Sequence, residues 1–153
     1  MSTFRAANTI CELKNWQVSN LPLQKLLYLS HLIHLGTQGV PLASNQFEAW
    51  DLGPVEPQLY RKLKAYGSRN VPDIFGVDAY PDGSPERQSI EMVLNDVGNA
   101  TPGKLVAITH WPQGAWALHY RPNTMGIKIP DADIAAEYRK IIARSGSGSG
   151  SGK

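Results

Sequence analysis

A mainly α fold is predicted: a single compact helical domain with a buried central helix and a small β element. Three observations predict it. Leucine or isoleucine occupies positions 21, 23, 26, 27, 29, 32, 33 and 35, so the stretch from Asn20 to Leu35 is apolar almost all round. At a length too short to span a bilayer, such a helix belongs in the centre of a domain. The start signal of a hydroxyl residue followed by proline recurs at Ser84-Pro85 and Thr101-Pro102. Alternation of the strand type is confined to residues 45 to 51, NQFEAWD, with a weaker hint at Ile127 and Ile129.

The elements follow in order. Residues 4 to 16 form a first helix, with Phe4, Ala7, Ile10 or Cys11, and Trp16 on one side. Asn20 caps the second helix, Pro22 sits in its first turn, and Gly36 and Gly39 end it. A polar stripe of Gln24, Tyr28 and His31 runs along it at spacings that place them above one another, with Lys25 beside them. In the strand, Phe47 and Ala49 face one way, Glu48 and Trp50 the other. Gly53-Pro54 turns the chain, and Pro57 opens a third helix with Leu59, Tyr60 and Leu63 inward, ended by Gly67. Residues 68 to 83 are a loop with a short extended piece near Ile74 to Val77. Ser84-Pro85 starts a helix with Ile90, Val93, Leu94 and Val97 buried, closed by Gly98. Thr101-Pro102 starts a short one through Ile108. After the break at Pro112, a further turn or short helix holds Trp116. Asp131 caps a last helix with Ile134, Tyr138 and Ile141 or Ile142 inward. Residues 145 to 153, SGSGSGSGK, have no side chains able to offset the cost of ordering a backbone, and are expected to be a disordered, engineered tail. The folded domain therefore spans residues 1 to 144.

Composition excludes several function classes. Fifteen basic and thirteen acidic side chains in 153 residues leave a net charge of +2, which gives no case for non-specific nucleic-acid binding. The single cysteine, Cys11, permits no internal disulfide and sits in an apolar helical pattern as a core residue. No membrane span and no signal-peptide order is visible, so the cytoplasm is the expected location. The sequence has no phosphate loop, HExxH, GxSxG or EF-hand motif. His31 and His34 are spaced to share a metal only if His110 or Glu48 supplied a third ligand; the simpler expectation is a hydrogen-bonded His31 and a partly exposed His34. No nucleophile is placed beside His110. The chain is thus not expected to be an enzyme or to hold a cofactor. Four tryptophans are many for this length, and Trp50, Trp111 and Trp116 stand in short or irregular elements. Each either closes the core or anchors a partner.

One resemblance is specific. Leu23-Gln24-Lys25-Leu26-Leu27-Tyr28, then Phe47-Glu48-Ala49-Trp50 with Gly53-Pro54-Val55, then Tyr60, Tyr66-Gly67, Thr109-His110 and Trp116 resemble the Panacea domain of SocA-like antitoxins, also met in phage-associated GepA-like proteins. The resemblance covers roughly residues 19 to 142. Leu52 stands where the family usually has an aromatic, and the segment WPQGA after His110 also departs from the usual wording.

The resemblance implies an antitoxin of a toxin–antitoxin system that neutralises its cognate toxin by direct binding. One alternative it implies is a proteolytic adaptor that delivers the toxin to a ClpXP-type protease. The residues themselves leave a second alternative, a small metal-dependent hydrolase using His31, His110 and Glu48. The family supplies no catalytic residues to carry over, and contact with the toxin would come from the domain itself or its first eighteen residues. Gln24, Tyr28, His31, Glu48, Trp50 and His110 are expected to form one connected network beneath a groove. Lys25, Asp51, Tyr60, Trp111 and Trp116 are expected near or on its rim.

Overall fold

A computed structural model describes residues 2–151 of the backbone and side chains through residue 144. The helices are α1 (Thr3–Leu13), α2 (Asn20–Gln38), α3 (Pro57–Leu63), α4 (Pro85–Val97), α5 (Pro102–Thr109), α6 (Ala115–His119) and α7 (Asp131–Ser151). The strands are β1 (Phe47–Trp50), β2 (Gly53–Val55) and β3 (Lys128–Ile129), in an antiparallel sheet of order β2-β1-β3. A single 3-10 turn, Lys64–Tyr66, continues α3. The fold is mainly helical. The tail expectation falls on residues whose side chains, and at 152 and 153 whose backbone, lie outside the described set; the helical span of α7 runs into that tail.

α2 is the axis. It packs against α1, α3, α4, α5, α7 and β2, and Leu23, Leu26, Leu27 and Leu32 are fully enclosed. The helix begins one residue earlier than a cap at Asn20 requires, because Ser19 takes the cap position and Asn20 is its first residue. It ends where Gly39 turns left-handed, φ 75°, and its amide bonds back to Leu35. The serine and threonine signals act as expected: Ser84 Oγ accepts from Arg87 N, and Thr101 Oγ1 from Lys104 N. Asp131 does not cap α7; it is the first residue of that helix.

Two local expectations are corrected. Gly53-Pro54 does not turn the chain. Residues 51 and 52 do, and Gly53 and Pro54 lie in β2, opposite Trp50 and Ala49. Pro54 is tolerated because β2 is the edge of the sheet, where no neighbour needs its missing N–H. Gly53 is demanded twice: its φ is +111°, and a Cβ there would meet Thr109 Oγ1 at 3.0 Å and Lys25 Nζ at 3.2 Å. Around residues 74 to 77 no strand forms; this loop is tied down by a bridge from Asn70 to Ser19 and by hydrogen bonds from Asn8 to the Val77 carbonyl and from the Tyr80 amide to Thr9.

Candidate partner-binding site

The polar stripe of α2 is enclosed, and each of its side chains fastens a different segment. Gln24 Oε1 accepts from the amide of Glu56 at 2.8 Å, and its Nε2 donates to the Glu56 carbonyl at 3.3 Å. The pair of bonds holds the start of α3 as a neighbouring strand would. Lys25 Nζ donates to the carbonyl of Pro54 at 2.8 Å and so fixes β2. Tyr28 donates its hydroxyl to Glu137 Oε1 on α7 at 2.7 Å. His31 Nδ1 accepts from the amides of Leu42 and Ala43 at 3.2 and 3.0 Å. That fixes its proton on Nε2, which lies 2.8 Å from Asp131 Oδ1. His34, expected partly exposed, is buried and bonds Ser89 of α4 at 2.9 Å. Gln24, Lys25 and His31 share one reason: a nearly all-apolar helix at the centre of a small domain meets irregular backbone on several sides, and buried backbone groups require partners. Tyr28 and His34 instead pair with buried side chains.

Burial sets the electrostatics of this layer. Lys25 is fully enclosed, no carboxylate pairs with it among the described residues, and loss of water pulls its amine down to about 7. It was expected near or on a rim; a lysine is rarely fully enclosed. Burial, and then the Glu137 carboxylate, push the Tyr28 hydroxyl well above its ordinary value. Burial likewise raises Glu137, against the hydrogen bonds from Tyr28 and Ala115 N, which lower it.

The remaining residues gather on the hairpin side. Trp50 crosses Tyr60 edge-on, with ring centroids 4.7 Å apart, and its Nε1 donates to Glu48 Oε1 at 3.0 Å. Trp116 Nε1 donates to the Trp50 carbonyl at 2.7 Å. His110, Trp116 and Tyr120 stack in one column, with centroid spacings of 3.8 and 4.6 Å. The Tyr120 hydroxyl closes onto Asp51 Oδ1. His110 Nε2 is buried without a hydrogen-bond partner, and burial followed by the charge of Lys25 lowers this imidazole below its ordinary value. A depression of about 540 Å³ opens beside the hairpin, lined by Trp50, Asp51, Leu52, Val55, Tyr60, Asn123, Thr124 and Met125. Leu52 is 56% and Met125 76% exposed. Trp111 stands apart, in a cleft between α2, α5 and α7 with Arg144 over its ring.

Gln24, Tyr28, His31, Glu48, Trp50 and His110 are therefore not joined into one hydrogen-bonded network. The first three form a structural layer, and the aromatic hairpin residues form a second, partly exposed group. The sequence reading missed the partners that complete the layer. Glu137 is one. Glu56 is another: wholly buried, it accepts from Thr3 Oγ1, Asn45 Nδ2 and Leu59 N. Glu137 lay within the apolar periodicity of the last helix, and this was its only signal. Among the described residues no group of three or more His, Cys, Asp or Glu side chains could hold a metal, and no helix is long and apolar enough to cross a membrane.

The model of the family "Antitoxin SocA-like, Panacea domain" matches residues 23–117, from the LQKLLY string of α2 through the aromatic column to α6. The chain belongs to the SocA-like Panacea-domain antitoxin family. It is also 35% identical, over 136 residues, to Antitoxin SocA of Caulobacter vibrioides, an alignment covering 80% of this chain and 72% of that protein. The comparison with solved structures gives no match. At the level of the family, the function of this Panacea-domain protein is antitoxin-like, through protein–protein interaction. Tyr120, residues 123 to 125 of the depression, Thr3, and α7, the helix that carries Glu137 and Asp131, lie outside the matched span.

Proposed function

We propose that this chain neutralises a cognate toxin by direct binding, through the face made by the β1–β2 hairpin and residues 120 to 125. One observation carries the reading: two large apolar side chains, Leu52 and Met125, stand exposed beside a depression whose walls are held rigid from behind. The bonds behind it are Trp116 Nε1 to Trp50 O, the crossing of Trp50 on Tyr60, and Tyr120 on Asp51. Pre-organised aromatics with exposed apolar neighbours are what a binding hot spot uses, because little side-chain freedom remains to be lost on association. Leu52 replaces the aromatic usual in the family, which suits a face tuned to its own toxin.

A purified two-component mixture tests this. The unaltered chain should inhibit the toxin encoded beside it with no protease present. Leu52→Asp and Met125→Asp, both at exposed positions, should keep the melting temperature and lose inhibition. Toxin that stays active in the mixture but disappears only when a ClpXP-type protease is added would favour the adaptor reading instead.

A further inference from the structure

The second cleft carries an inference that rests on the antitoxin reading and concerns a different face. It has a volume of about 490 Å³ and is lined by Leu29 of α2, Ala107 and Ile108 of α5, Trp111, and Glu137, Ile141 and Arg144 of α7. Five of these seven residues are apolar, and Glu137 is the one acidic group among them. Glu137 is 3% exposed. Its Oε1 is used twice, by the Tyr28 hydroxyl at 2.7 Å and the Ala115 amide at 3.0 Å. Its Oε2 accepts no hydrogen bond and no basic side chain pairs with it among the described residues. The basic groups nearby are engaged elsewhere: Arg144 lies over the Trp111 ring at 5.5 Å, and Lys140 Nζ donates to the Gln113 carbonyl at 3.1 Å.

We infer that the cleft between α2, α5 and α7 receives a tyrosine carried on an acidic segment of a protein partner, its hydroxyl donating to Glu137. The chemistry selects this occupant. Apolar walls and an indole suit an aromatic body. A buried carboxylate with an unused oxygen rewards a neutral donor head, as the same carboxylate already accepts one tyrosine hydroxyl from Tyr28. Arg144 and Lys140 beside the cleft disfavour a lysine or arginine and favour carboxylates flanking the ring.

The test uses the full chain and three capped tripeptides: tyrosine between two aspartates, phenylalanine between two aspartates, and tyrosine between two lysines. The readout is the indole N–H resonance of Trp111, with Trp16, Trp50 and Trp116 as internal references. The aspartate–tyrosine peptide should shift Trp111 alone. The phenylalanine peptide should bind about tenfold more weakly, the loss of one charge-assisted hydrogen bond, and the lysine-flanked peptide more weakly still. Glu137→Gln should reduce the preference for tyrosine over phenylalanine. Ala107→Phe, at an exposed position, should fill the cleft and abolish the shift with the melt unchanged. Equal binding of the tyrosine and phenylalanine peptides to the unaltered chain, no shift of Trp111, or a shift that survives in Ala107→Phe would each overturn the inference. Those failures leave toxin inhibition in the purified mixture untouched, so this reading and its parent fall separately.

Discussion

Lys25 Nζ and the carbonyl of Pro54 meet at 2.8 Å with the amine wholly out of water. This contact ties the sheet's edge strand to the central helix. It places a titrating amine, lowered to about 7, at the point where the hairpin meets the core.

Stability should depend on pH through this residue. Unfolded, the amine holds its proton up to 10.5; folded, only to about 7. Between those values the unfolded chain binds more protons, so stability rises with pH, by at most about 1.4 kcal/mol per unit. Below about 7 both states are charged and this contribution levels off. Denaturant melts from pH 6 to 10 should show the rise, and Lys25→Met should flatten it. An identical slope in the variant would remove Lys25 as its source.

Tyr28→Phe removes the donor to Glu137 and nothing else of comparable size. It should cost about 1–3 kcal/mol, the usual penalty for a buried polar group losing a partner. With Ala115 N still bound to Glu137, the fold should survive. Urea unfolding measures this directly; a variant as stable as the parent would mean that the hydroxyl bond contributes nothing net.

His31→Leu should be worse. It strips the acceptor from two buried amides, Leu42 and Ala43, and the partner from Asp131 at the start of α7. A loss of about 3 kcal/mol would lower the melting temperature by about 6–12 °C in a domain of this size. A shift under a degree or two in a thermal scan would contradict the two-amide role.

Cys11 should be inert in the folded protein. It is fully enclosed, and burial, with Asp73 and Glu12 adding to it, pushes the thiol up to about 12. A thiol-exchange reagent at pH 8 should label it only after denaturant is added. Prompt labelling of the native chain would show that α1 opens.

The central helix was legible because its leucines leave only one solution for so apolar a segment. The helix starts at Ser84 and Thr101 were legible because cap chemistry is local. What could not be read were pairings between distant positions. Tyr28 stood out as a polar residue in an apolar helix, yet its partner lies 109 residues away and nothing in a periodicity links them. Lys25 was expected near or on the rim of a groove because lysine is rarely enclosed. Gly53-Pro54 was read as a turn because that dipeptide usually is one; the glycine is there for Thr109 and Lys25, which no local pattern reveals.

The fastenings along α2 have a kinetic corollary. Segments starting at residues 42, 54, 56, 89, 131 and 137 are each hung on that helix by a side chain from its own surface. None of them can detach without baring a buried polar atom, so piecemeal opening is costly throughout. Amide hydrogen exchange should therefore report one cooperative unit, with the protons of α2 and those of its tethered segments released together in a single global event.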